Sequence, residues 1–211
     1  MNKSSDTVII AHDFLCPWCW IGLFQAKRLQ GEFPTLKQDW RGYELLPESL
    51  GPLPVFTPRP PQPPDPSRPP SRLDQLAALD GIPYRKNRAI GAVRTHDALQ
   101  GCEYAKELAP DKFDAYNEGV YRAYWERDED ISDHNVLGKI ASDSGLDGAD
   151  FLRQIADKRY SHLIVPYDDP AYADDITHVP TFMFRGERCA EAPYETIRLM
   201  AARFLAWYGP K

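Results

Sequence analysis

What this 211-residue chain lacks narrows it first. No stretch approaches the about eighteen apolar residues of a membrane-spanning helix, so no membrane partner is expected. The 25 Lys and Arg are scattered among 31 Asp and Glu, for a net charge of −6, and no basic stripe forms. The electrostatic footprint of a phosphate-backbone binder is therefore missing, and nucleic acid is not expected as a partner. Only four cysteines occur, two of them isolated by spacing, which excludes a disulfide-stapled secreted scaffold. There is no second CxxC and no HxxxH, so a zinc ion would lack ligands at usable spacing and no metal is expected. The apolar stretch Thr7-Val8-Ile9-Ile10-Ala11 is too short for a signal peptide and has no small-residue cleavage site near it. A cytoplasmic location is the expectation.

What is there begins with Cys16-Pro17-Trp18-Cys19, two thiols three positions apart where an apolar strand hands over to a helix. A helix start carries a partial positive charge of roughly half a unit, which stabilises a thiolate placed there. Pro17 lacks an amide hydrogen and suits the first turn, leaving Cys16 at the N-cap or first position with free amides able to point at its sulfur. Cys19, one turn on, is placed to close an intramolecular disulfide. Trp20 stands where a zinc knuckle wants glycine, which weighs against a metal reading of the pair. Cys102, on an apolar face with Ala98, Ala105 and Leu108, reads as a buried inert thiol, and Cys189 as filler in a hairpin. His12, four residues before the motif, reads as a satisfied hydrogen-bonder at a strand end.

The 43% hydrophobic content supports a real core, and the rest of the chain places the motif in it. Val8 to Ala11 reads as a buried strand, Pro17 to about Leu29 as a helix stopped by Gly31, and Leu36 to Leu46 as a second strand. Strand, helix, strand opens a βαβ unit. Between Pro47 and Pro70 fall eleven of the twenty prolines, a stiff extended crossover that also offers Pro58-Arg59-Pro60-Pro61 and Pro61-Gln62-Pro63-Pro64 as PxxP cores. Ser71 to about Ala156 reads as helical throughout, in four or five helices, with Ser132 and Asp147 as N-caps. Val179 to Phe184, the Arg185-Gly186 turn and Glu187 to Ala190 read as an antiparallel hairpin. Pro193 opens a last helix whose face Ile197, Met200, Ala201, Phe204, Leu205 and Tyr208 should pack on the sheet.

In this order the elements resemble the thioredoxin fold in its DsbA-type arrangement. The likeness is closest to cytoplasmic DsbA-like proteins of the FrnE type, on Asp13-Phe14-Leu15-Cys16-Pro17-Trp18-Cys19-Trp20-Ile21-Gly22, Arg94-Thr95-His96-Asp97-Ala98 and Val179-Pro180-Thr181-Phe182. One departure is His178, which stands where that group usually has glycine. The resemblance implies an α/β thioredoxin-like domain of residues 1–70 and 160–211, interrupted by a helical domain of 71–159. It also implies a thiol-disulfide oxidoreductase in which Cys16 is the nucleophile, Cys19 the resolving thiol and Pro180 a cis-proline beside them. Pro17, Trp18, His178, Val179 and Thr181 would line the substrate groove. Its partner would be a disulfide-bearing protein or small thiol. No cofactor is implied, although glutathione could serve as reductant or co-substrate. The alternative on the same fold is a glutathione-dependent transferase or isomerase of the kappa-class or 2-hydroxychromene-2-carboxylate isomerase type. Those generally carry serine where Cys16 stands.

Overall fold

The computed structural model describes residues 6–58, 67–83, 85–86, 88–167 and 169–209. The PxxP cores of the proline tract fall almost wholly on 59–66, outside the described residues. β1 (Thr7–His12) is the β-branched run, and it sits at the centre of a five-stranded sheet. It pairs in parallel with β2 (Lys37–Glu44), Thr7 opposite Lys37 through His12 opposite Gly42. Between them runs α1 (Pro17–Glu32), whose buried face includes Cys19, Leu23, Ala26 and Leu29. Gly31 does not end it. The helix runs on to Glu32, one residue past it, because the Phe33 amide still reaches the Leu29 carbonyl, and Pro34 then stops it.

Five helices follow β2: α2 (Arg72–Asp80), α3 (His96–Leu108), α4 (Phe113–Glu126), α5 (His134–Asp143) and α6 (Gly148–Ala156). The stretch is not helical throughout, since the described residues among 81–95 form a non-helical link between α2 and α3, begun by Gly81 in the left-handed region at φ 68°. α2 starts on a capping box, Ser71 and Asp74 bonding reciprocally, and lays Leu76 and Ala77 against Ile21 of α1. α3 packs on β2 where Gly42 lets it approach: a Cβ there would lie 3.1 Å from that of Leu99. Asp147 caps α6, but Asp133 rather than Ser132 caps α5, because the Ser132 amide and hydroxyl both turn to Asp130.

After the helices the chain returns through β3 (Val165–Pro166), α7 (Asp169–Ala173), β4 (Thr181–Phe184), β5 (Glu187–Ala190) and α8 (Tyr194–Tyr208). β3 joins β2 in parallel, while β4 lies antiparallel to β1 and to β5, giving the order β3-β2-β1-β4-β5. This is an α/β thioredoxin core carrying an inserted helical subdomain. The hairpin turns at Arg185-Gly186 with Gly186 at φ 81°, and Pro193 is the cap of α8 rather than its first residue. α8 buries Ile197, Met200, Ala201 and Phe204, and Phe204 meets Phe184 of β4 at 5.6 Å between ring centroids. Tyr208, at the end of that face, is exposed.

Candidate active site

β1 ends at His12, and the next three residues turn the chain from sheet to helix. Asp13 holds that turn. It is wholly buried and takes hydrogen bonds from the amides of Leu15 and Leu45, both at 2.7 Å, and from the Thr95 hydroxyl at 3.0 Å. One carboxyl thus ties together the approach to the dithiol, the end of β2 and the start of α3. Burial raises its pKa from 3.8 to about 6, against the pull of those donors. His12 is equally buried, with Nδ1 3.0 Å from the Tyr121 hydroxyl and its ring edge-on to Phe14 and Trp40. Burial first, with the charge of Lys106 second, lowers its pKa from 6.5 to about 3, so it is neutral at pH 7.

Cys16 is the N-cap of α1 and Pro17 its first residue. The helix amides do not catch the sulfur, contrary to the expectation from sequence. As a thiol it is a donor, and it turns to the Val179 carbonyl at 3.1 Å. The Val179–Pro180 peptide bond is cis, and Pro180 packs against Gly22 of α1. Cys19 lies one turn in, fully buried. Burial, then its hydrogen bond with the Cys16 sulfur and the charge there, push its thiol well above the ordinary range. All four cysteines are free thiols.

The other expected groove residues sit at different depths. Trp18 is half-buried beneath the Arg72 guanidinium, 5.2 Å from the ring centroid. Arg72 in turn pairs with Glu191 at 3.2 Å, and the Glu191 amide bonds the Pro180 carbonyl. Thr181 is buried with its hydroxyl given to the His178 carbonyl at 2.5 Å, while the His178 side chain is exposed beside Thr177. Trp20 donates to the Pro83 carbonyl at 2.9 Å and stacks on Trp125, which itself donates to the Phe14 carbonyl at 2.9 Å. Cys102 is buried with Ala98 and Ala105, although Leu108 of the same helix is exposed, and Cys189 is half-buried in β5.

A DSBA-like thioredoxin domain model matches residues 7–198. The chain belongs to that family. Among its relatives, the uncharacterized protein YwbO of Bacillus subtilis is 29% identical over 174 residues, 81% of this chain and 82% of its own length. The probable DsbA oxidoreductase SCO1869 of Streptomyces coelicolor superposes with a TM-score of 0.68 at 20% identity, over 97% of this chain and 92% of that one. The cytosolic disulfide reductase DsbM of Pseudomonas aeruginosa, solved with GSH, gives 0.60 at 15% identity, over 95% and 96%. At these identities the two structures share the fold with this DsbA-like chain. The family and fold are consistent with thiol-disulfide redox chemistry at a cysteine pair.

In this DsbA-like chain Gly22 carries the closest helix-to-proline approach that the site shows. A Cβ there would lie 3.0 Å from Pro180 Cγ and 3.2 Å from its Cβ. In an unconstrained helix Gly→Ala gains about 1 kcal/mol. Here Gly22→Ala is expected to gain nothing in Tm and to slow thiol-disulfide exchange at the cysteine pair about tenfold or more, because moving the ring carries the Val179 carbonyl away from Cys16. Thermal melts alongside insulin reduction check this; a stabilised, fully active variant would show the contact to be slack.

Proposed function

We propose that the chain is a cytoplasmic thiol-disulfide oxidoreductase of the FrnE type, working as a reductase or isomerase of substrate disulfides. The observation that carries the reading is the placing of the Cys16 sulfur: at the cap of α1, against the Val179 carbonyl, with Cys19 buried behind it. The Cys16 thiolate attacks a substrate disulfide, one substrate sulfur leaves as thiolate, and a mixed disulfide forms. Of the causes that hold the Cys19 proton, the Cys16 hydrogen bond and charge vanish at that moment, leaving burial and the smaller effect of the Asp13 charge. Cys19 then loses its proton more readily, attacks the Cys16 sulfur and releases the second substrate thiol. Pro180 and Val179 flank the reacting sulfurs, Pro17 and Trp18 form the near wall of the groove, and His178 and Thr181 its far end. Glutathione or a thioredoxin-type reductant returns the two electrons.

The redox poise of the compartment sets the direction. Anything that stabilises the dithiol makes the disulfide more oxidising, by about 30 mV per 1.4 kcal/mol. In a glutathione buffer poised between about −220 and −320 mV, the Cys16–Cys19 pair should settle as dithiol and the protein should reduce insulin disulfides. A pair that stays oxidised in that buffer and oxidises reduced substrate would reverse the assignment. The intact dithiol speaks against the transferase and isomerase alternative.

A further inference from the structure

Beside the edge strand β3, the end of β2, the start of α3 and a 3-10 turn at Ser161–Leu163 surround a cavity of about 340 Å³ whose lining includes Glu44, Arg94, His96, Ser132, Lys158 and Ser161. Cys16 and Cys19 are not among its walls. Three of the lining side chains are linked in series. Glu44, its side chain 5% exposed, places Oε2 2.8 Å from His96 Nδ1, and His96 Nε2 lies 2.7 Å from Ser161 Oγ. An ionised carboxylate only accepts, so it fixes a proton on Nδ1 and raises the basicity of the ring, and in the neutral imidazole the Nε2 lone pair faces the Ser161 hydroxyl. A nucleophile bonded to a base, and the base to an orienting acid, is the arrangement of acyl-transfer hydrolases. The dithiol chemistry uses none of the three.

We propose that Glu44, His96 and Ser161 form a second active site, one that hydrolyses small acyl esters. Ser161 Oγ attacks the acyl carbonyl while its proton passes to His96 Nε2. The imidazolium, steadied by Glu44, returns that proton to the departing alcohol. Water, giving a proton to His96, then attacks the acyl-serine, and the acid leaves as Ser161 regains its hydrogen. No electrons are exchanged and no co-reactant beyond water is needed. Lys158 lines the cavity without an ion pair among the described residues and supplies positive charge for the developing oxyanion. Arg94 does not serve in that role, since it is committed to the carbonyls of Leu46, Pro47 and Gly51. The cavity stands at the small end of ligand sites, about 300 to 1,000 Å³, which restricts the acyl group to a short one.

The test is labelling of the full-length protein with a fluorophosphonate probe, the sites mapped by peptide mass spectrometry. Ser132 lines the same cavity but bonds Asp130, so it is the internal reference. Ser161 should label well ahead of Ser132, His96→Gln should slow that labelling by about a hundredfold or more, and Ser161→Ala should remove it while insulin reduction is unchanged. p-Nitrophenyl acetate hydrolysis that survives in Cys16→Ser and falls in Ser161→Ala would agree. Ser161 labelling no faster than Ser132 in the wild type would overturn the proposal, and this comparison stands even if a variant fails to fold. Undiminished labelling in a folded His96→Gln protein would overturn it equally.

Discussion

Replacing Cys16 by serine should lower insulin-disulfide reduction by on the order of a thousandfold or more, while replacing Cys19 should stop turnover at a different point. Without Cys16 no mixed disulfide forms, because the remaining thiol of the pair is fully buried and its pKa is raised. Without Cys19 the first attack still occurs, but nothing inside the protein can release the substrate. Cys19→Ser is therefore expected to accumulate a covalent adduct with substrate through Cys16, visible as a shifted band without reductant and lost with it. Both variants should fold, since serine is close in volume. Full activity in Cys16→Ser would remove the central claim; an adduct on Cys19 in that variant would exchange the two roles.

Asp13→Asn should change stability in two separable ways. Three donors converge on the carboxyl, and an amide can face only some of them with oxygen. At least one donor loses its acceptor, a cost of about 1–3 kcal/mol. The second effect depends on pH. Asp13 has a folded pKa raised from 3.8 to about 6, so its contribution to stability is full below pH 4 and is lost as pH rises to about 6. Two units correspond to about 3 kcal/mol. His12 runs the other way: lowered from 6.5 to about 3, it contributes fully above pH 6.5 and loses that as pH falls. Between pH 4 and 6 the two slopes oppose each other in the wild type. Removing Asp13 exposes the histidine slope, so the variant should gain on the wild type by about 3 kcal/mol across that window. Urea denaturation at a series of pH values measures it, and parallel curves for the two proteins would refute it.

The parts of this molecule that could be read from the sequence are those set by local pattern. β1, the CPWC handover into α1, the β4–β5 hairpin and the apolar face of α8 all follow from periodicity and turn residues close in the chain. β3 escaped because two residues carry no period, and it exists through pairing with Tyr43 and Glu44 more than a hundred positions earlier. The break after Gly81 escaped because helical spacing on either side hid a link anchored by tertiary bonds, Trp20 to the Pro83 carbonyl and Arg94 to Leu46 and Pro47. Within the candidate site, the spacing of the thiols stands out in the sequence, and the resemblance points to Pro180, but nothing local announces what the clamp at Asp13 holds. Its partners Leu45 and Thr95 are 32 and 82 positions away. The signal it did give was a charge set between a buried strand and the apolar pair Phe14-Leu15, a place where a carboxylate needs partners to persist.

The contact between the Cys16 sulfur and the Val179 carbonyl spans 163 positions. On a ribosome that separation is an interval of time. At roughly 5–20 residues per second, the thiols emerge some ten to thirty seconds before the carbonyl that receives them has been made. Throughout that interval the nascent chain carries two cysteines without their far wall, so the reactive arrangement forms long after the thiols themselves have been made. Translation itself keeps the dithiol unpoised until Val179 is there to meet it.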